Sequence, residues 1–359
     1  MSKEQLSITD KNFILDNISR TLLYEGYSLF PYHRSAIKNQ KPIPFGVVYP
    51  KEYNAFNAHA HSNMQTECIV TGDENLIINI SVRFLHLKKI EVFQNEINGS
   101  EEDNFIPVYE LNLNGKLFQP GWQTIERKLD SGDLPLSQLL DKEKKIAFAF
   151  DEEIENNFLH NKNGDIVGKQ INSIMGLKGD VALKVSAIEN IKNAYKIHVS
   201  ISNETPVSNA KEISRDEIFN QSCLSTNTIL NMANGKFISI QNPAEEWRPI
   251  VAQCHNNGTW PILIDETDTT MLSSPIIVYD YPKINPQSHA DLFDSLEIEE
   301  ALMLHFSVMS DDEKQRISQC DDKLNSMLSK VGQVTPQEII NLHGGFSNIK
   351  PTTIHSKKE

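Results

Sequence analysis

The spacing of apolar positions divides this chain into three stretches. In TDKNFILDNISRTLL, Thr9-Asp10 supplies a capping pair, and Phe13/Ile14, Ile18 and Leu22 then recur at three- and four-residue steps. That spacing predicts a short amphipathic helix. From there to about residue 265 the period falls to two. In LIINISVRFLHL, Ile78, Ile80, Val82 and Phe84 share one face and Asn79, Ser81 and Arg83 the other, as in a half-buried strand. LKVSAI and YKIHVSI alternate in the same way, and the polar linker ENIKNA between them predicts a hairpin. PVYELNL, WQTIERKL, KIAFAF and KFISI read as further strands, and PIIVYDYP as a buried strand closed by Pro282. Many short alternating strands separated by turns predict an α+β protein, mainly an antiparallel β-sandwich-like body. Strands do not alternate with helices and no GxGxxG follows a strand, so a Rossmann-type fold is not expected.

Beyond residue 287 the pattern becomes helical. Ser310-Asp-Asp-Glu313 forms a capping box, in which serine and glutamate each satisfy an orphaned backbone N–H. Ile317, Cys320, Leu324, Met327 and Val331 follow along one face. Thr335-Pro336 opens a second helix and Gly344-Gly345 ends it. The expected organisation is a mainly-β body with N-terminal helix and irregular arm over 1–286, a helical region over 287–345 and a disordered tail over 346–359.

Composition narrows the function classes. The formal charge of −14 opposes phosphate binding, and the basic pairs Lys88-Lys89 and Lys144-Lys145 sit beside Glu91, Asp141 and Glu143. Nucleic acid is therefore not an expected partner. The polar start MSKEQLSITDKN has no apolar core of a secretory signal. Apolar runs such as PIIV and IAFAF fall far short of the ~18 residues that cross a bilayer, so no transmembrane segment is expected. Cysteines occur singly at 68, 223, 254 and 320, which favours a reducing compartment and a cytoplasmic location over a disulfide framework. No cofactor is expected.

The chemistry-bearing residues are few. His59-Ala-His61 is followed by Glu67-Cys68, and two histidines two apart in a strand share a face and can grip one metal ion. His59, His61 and Cys68 are thus the candidate metal ligands, against an exposed loop at HAH. Cys68 precedes Ile69-Val70 and also reads as a small buried side chain. Cys254-His255 would diverge in a strand, so the pair is poorly placed for thiol activation. His86 continues an apolar face and reads as a hydrogen-bonded core residue. Ser273-Ser274-Pro275 lacks a nucleophile-elbow context and reads as a turn or strand entry. Asp280 is placed to hold a turn. Residues 24–46 crowd three tyrosines, Phe30, Phe45, Arg34 and Lys38 around two glycines and three prolines. Such a mixture suits a partner-binding surface, and equally an arm packed on the protein's own sheet.

The segments LLYEGYSLFPYHRSAIKNQ, FGVVYP, MQTEC, NGTWPILI, MLSSPIIVYDYP and DLFDSLEIEEAL, in this order over about residues 22 to 345, resemble an uncharacterised bacterial protein family. Its members are often encoded near nickel–iron hydrogenase and hydrogenase-maturation genes. The resemblance implies a cellular setting but no reaction, and HAH is not part of its pattern. It emphasises Tyr24, Glu25, Gly26, Tyr27, Tyr32, Lys38, Asn39, Glu67, Cys68, Trp260 and Asp280. The leading expectation is a non-enzymatic accessory or assembly protein that binds a protein partner, a hydrogenase subunit or maturation factor. Its expected contacts are Tyr24, Glu25, Tyr27, Tyr32, Arg34, Lys38 and Asn39. The alternatives are an enzyme using Glu25, Glu67, Cys68 or Asp280, and a nickel- or zinc-handling protein.

Overall fold

The computed structural model describes residues 44–95, 105–140 and 142–282, together with Leu15, Asp16, Ile18, Ser19, Leu22 and Leu23. The expected partner contacts Tyr24, Glu25, Tyr27, Tyr32, Arg34, Lys38 and Asn39, the helical region 287–345 and the tail all lie outside the described residues. In chain order the strands are β1 (Asn63–Asn95), β2 (Phe105–Pro107), β3 (Leu111–Leu113), β4 (Lys116–Phe118), β5 (Gly121–Pro135), β6 (Lys144–Phe150) and β7 (Glu153–His160). They continue with β8 (Ile166–Ile174), β9 (Leu177–Ala187), β10 (Ala194–Asn203), β11 (Leu224–Phe237), β12 (Trp260–Leu263) and β13 (Thr270–Ser274). Every strand pairing is antiparallel. Among the described residues eleven strands share one curled sheet, and the β3–β4 hairpin stands apart from it. The expectation of an antiparallel β body holds.

β1 is the spine. Its 33 residues take partners on both edges in succession. Along one edge run β10 against 63–71, β5 against 77–90 and β2 against 93–95. Along the other run β11 against 70–85 and β8 against 89–94. The assignment to edges follows from shared residues, because Ile78 pairs with both Leu134 and Met232, and Ile90 with both Gly121 and Asn172. Register jumps at Gly72/Ile77 and Arg83/Leu85 bend and twist the strand.

Alternation along β1 sets the two faces. Met64, Cys68, Val70, Ile78, Ile80, Val82 and Phe84 enter the main core with Val181, Leu183 and Val185 of β9 and Ile197, Val199 and Ile201 of β10. The sheet curls so that β6 returns to this core, with Phe84 and Phe148 ring centroids 5.8 Å apart. The opposite face is covered as well. Leu85 and Leu87 pack there with Leu23, Tyr49, Tyr53, Phe219 and Leu224. Arg83 ties down the helical N-terminal residues by bonding Asp16 Oδ1 at 2.6 Å and Ser19 Oγ at 2.9 Å.

Two expectations need correction. PIIVYDYP is not a strand: β13 ends at Ser274, and residues 275–282 run on irregularly with Ile277 and Tyr279 exposed. Pro275 has no N–H to continue the ladder, so the apolar run leaves the sheet where it begins. Asp280 does hold this exit, accepting Leu263 N–H at 2.8 Å and Ser239 Oγ–H at 2.5 Å. His86 is the second correction. It is fully buried, but neither ring nitrogen makes a hydrogen bond of good geometry. It lies where β11 has left β1 at Leu85 and β8 has not yet joined at Lys89. Burial, and secondarily the Arg127 guanidinium, lower its pKa to about 4, while the nearby Asn220 and Met175 carbonyls oppose the shift.

The unfolded imidazole titrates near 6.5 and the folded one near 4, so acid favours unfolding across that window and no further below it. The neutral ring is worth about 3 kcal/mol of stability at pH 7 that is lost on acidification, at roughly 1.4 kcal/mol per pKa unit. His86→Leu should flatten the urea midpoint between pH 7 and pH 4 relative to wild type. Parallel pH profiles for the two proteins would contradict this reading.

Candidate functional site

On the outward face of β1, β10 and β9, charged side chains meet in two cross-strand rows. Glu67, His198 and Lys184 are in register, and Lys196 and Ser186 lie one row along. With Glu143 they line a half-open cleft of about 310 Å³. The polar positions of two alternating strands place these groups together, because antiparallel register keeps opposed residues on one face.

Glu67 organises the cluster. The turn of helix Arg248–Val251 leads into residues 253–257, which lie along the stretch of β1 that β11 does not reach. Gln65 and Asn257 exchange backbone bonds of 3.2 and 2.9 Å. The Asn256 side chain imitates the next strand residue, accepting Glu67 N–H at 2.8 Å and donating to its carbonyl at 3.3 Å. The Glu67 carboxylate then takes three bonds: His255 N–H at 2.7 Å, Lys196 Nζ at 2.6 Å and His198 Nδ1 at 3.2 Å. Lys196 also donates to the Gln253 carbonyl at 2.9 Å. Burial alone would raise the Glu67 pKa, but Lys196, the His255 N–H and His198 outweigh it and hold the carboxyl below its ordinary value. An ionised carboxylate only accepts, so His198 donates from Nδ1.

Two chemistries are available to this arrangement. As a clamp, Glu67 fixes the loop on the sheet edge. As a site, a carboxylate-oriented imidazole in a cleft with a serine hydroxyl has the elements of general-base catalysis. Thiol chemistry is less well served. Burial pushes the Cys68 thiol well above its ordinary pKa, with Cys254 and Glu67 adding to it. Cys223 rises through burial, and burial takes Cys254 to about 11 despite Lys196. These thiols are protonated at neutral pH.

The sequence-predicted site residues do not converge. His59 and His61 are exposed in the loop before β1, whereas Cys68 is fully buried in the main core. Among the described residues no group of three His, Cys, Asp or Glu side chains is arranged to hold a metal ion. Glu67 and Cys68 are neighbours pointing to opposite faces of β1, and Asp280 serves the β12 end of the sheet. Ser273 is buried, bonding both Thr66 and Thr259 hydroxyls at 2.7 Å. No motif in the sequence singles out Lys196, His198 or Asn256. YKIHVSI does put Lys196 and His198 on its polar face, but nothing in that run names Glu67 as the partner.

A different kind of surface lies at the other end of the sheet. Residues 275–282 pass beside β12, joined to it by Tyr281 N–H to Leu263 O at 2.7 Å and by Asp280. Gln241 braces the run through Val278 O at 2.6 Å and Asp280 N–H at 3.2 Å. Ile277 is 65% exposed and Tyr279 83%, and Trp260 and Tyr281 are also exposed. Tyr281 Oη donates to Asp268 at 2.9 Å, and burial followed by Asp268 raises its pKa to about 12. No helix among the described residues is long and apolar enough to cross a membrane. Comparison with family models, curated proteins and solved structures finds no match for this chain.

Replacing Glu67 with glutamine should lower the urea midpoint at pH 7 by an amount worth about 1–3 kcal/mol, since it removes charge-assisted bonds from a nearly buried site. The folded pKa of Glu67 is depressed, so its contribution is present above the unfolded value and is lost as pH falls through the folded one. The difference between variant and wild type should therefore narrow below about pH 4.5. A constant difference down to pH 3 would show that charge is not the cause.

Proposed function

We propose that this chain is a non-enzymatic accessory protein that binds a protein partner, and that the partner belongs to nickel–iron hydrogenase assembly as a subunit or maturation factor. The observation that carries the reading is the braced run Ile277–Tyr281, in which Ile277, Tyr279 and Tyr281 are exposed, joined to β12, whose Trp260 is exposed too. Large apolar side chains held rigidly in water are what an interface core requires, because little ordering entropy is lost on docking. The hydrogenase setting rests on the sequence resemblance. Two of the segments that carry it, NGTWPILI and MLSSPIIVYDYP, supply Trp260, Ile277, Tyr279 and Tyr281. Asp280 lies within the run and Asp268 bonds Tyr281 at its end, so the partner surface should be apolar with a basic rim.

In this reading the β body is a frame, sandwich-like in that β6 and β9 face β1 across one core. The free thiols of Cys68, Cys223 and Cys254 support a cytoplasmic setting. A charge of −14 argues against nucleic acid as partner. Affinity capture of the full chain from its native host should recover hydrogenase components, and Ile277→Asp with Tyr279→Asp should abolish recovery without lowering the urea midpoint. Capture of the same components by the double variant would overturn this surface, and wild-type protein recovered alone would overturn the partner.

A second reading is favoured by the Glu67–His198 pair in its cleft with Ser186. It makes the protein an enzyme in which His198 acts as general base and Glu67 orients it. An activity-based probe for reactive serines should then label wild type at Ser186, and His198→Asn should lose labelling by about 100-fold or more. Equal labelling of both proteins, or none of wild type, would dismiss this reading.

A further inference from the structure

Strand β7 is an edge. Among the described residues it pairs only with β8, and no other backbone hydrogen bond reaches residues 153–159 from outside. Seven residues of unpaired peptide edge next to exposed apolar side chains are a template for another strand. Ile154 is 61% exposed and Phe158 41%. Both project on the face where Lys169 Nζ lies 4.6 Å from the Phe105 ring centroid, and Phe158 and Phe105 centroids are 6.1 Å apart. This edge carries few of the usual safeguards: it has no proline, no lysine and no bulge of its own from Glu153 to Leu159, since the one register shift leaves Val167 of β8 unpaired.

We propose that β7 is the seam of a twofold dimer, in which two copies of this chain pair antiparallel through β7 about Asn156. The sequence of the strand is complementary to its own reverse. With Asn156 opposite its counterpart, Ile154 faces Phe158 of the second copy and Phe158 faces its Ile154, so four apolar side chains flank one amide pair on a single face. On the other face Glu155 meets Asn157, an acceptor against a donor. Moving outward, Glu152 meets His160, and the acidic start Asp151-Glu152-Glu153 approaches the His160–Lys162 end of the other chain.

The alternatives are worse for stated reasons. Parallel pairing sets Glu153 and Glu155 against the same residues of the copy, which is repulsive. A shift of one residue turns Ile154 and Phe158 onto the face of Glu155. A shift of two toward the C-terminus centres the pair on Asn157, putting Ile154 opposite His160 and Glu155 opposite Leu159, and both apolar pairs are lost. The favoured arrangement is also closed, because the symmetry axis consumes the edge.

The register makes one position unique: only residue 156 meets itself. In the full chain with Cys254→Ser and Cys320→Ser, Asn156→Cys should form an intermolecular disulfide on mild oxidation at least ~10-fold faster than Asn157→Cys, whose counterpart faces Glu155. Sedimentation of the unmodified chain over a range of concentrations should show monomer passing to dimer and no larger species, and Ile154→Lys with Phe158→Lys should leave monomer at every concentration. The proposal falls if wild type stays monomeric throughout, if it assembles without limit, if the lysine variant still dimerises, or if cysteines at 156 and 157 cross-link alike.

Discussion

The structure depends on one strand that is too long to be served by one neighbour. β1 carries 33 residues, and each must find a partner for its backbone on both sides or meet water. Five strands divide that work, with β10, β5 and β2 along one edge and β11 and β8 along the other. Where successive partners hand over, the ladder breaks. Two stretches that one row of partners does not reach hold something other than a plain strand. The stretch beyond the reach of β11 at 65–67 is filled by the Gln253–Asn257 loop, and Glu67 fastens it. The gap between β11 and β8 contains the buried, unpaired His86.

This arrangement explains why polar groups in the interior do different jobs. Glu67 is tolerated because three donors converge on it, and its charge is thereby favoured. His86 has no comparable donors or acceptors, so burial decides its state and keeps it neutral. Ser273, Thr66 and Thr259 satisfy one another without charge. The same accounting of partners separates a clamp from a reactive group: the thiols of Cys68 and Cys254 lie near Glu67 in chain or space, but desolvation leaves them protonated.

Among the described residues, two of the surfaces leave large apolar side chains unused by the fold. At one end the chain leaves β13 at Pro275 and is braced by Gln241 and Asp280, which hold Ile277 and Tyr279 out in solvent. At β7 the sheet ends with Ile154 and Phe158 uncovered among the described residues. The first suits a partner of different sequence, since its alternation has no internal symmetry. The second is nearly its own complement.

Alternation alone determined much of this. The period of two in LIINISVRFLHL places Ile78, Ile80, Val82 and Phe84 on one face, and the structure buries all four together. LKVSAI and YKIHVSI pair across their polar linker, because turn and alternation are local properties. Asp280 was legible as a brace for the same reason, lying between tyrosines just before a proline. What the sequence could not decide is anything set by which strands become neighbours. That Lys196 and His198 belong with Glu67 depends on β10 lying against the start of β1, 130 residues away in the chain. That PIIV lies outside the sheet depends on β13 ending at Ser274, although its composition suits a strand equally well. That HAH stays a loop while MQTEC becomes a strand depends on where β10 begins to pair. Side-chain periodicity encodes a face, but hydrogen-bonded register over long separations is chosen by the whole sheet at once.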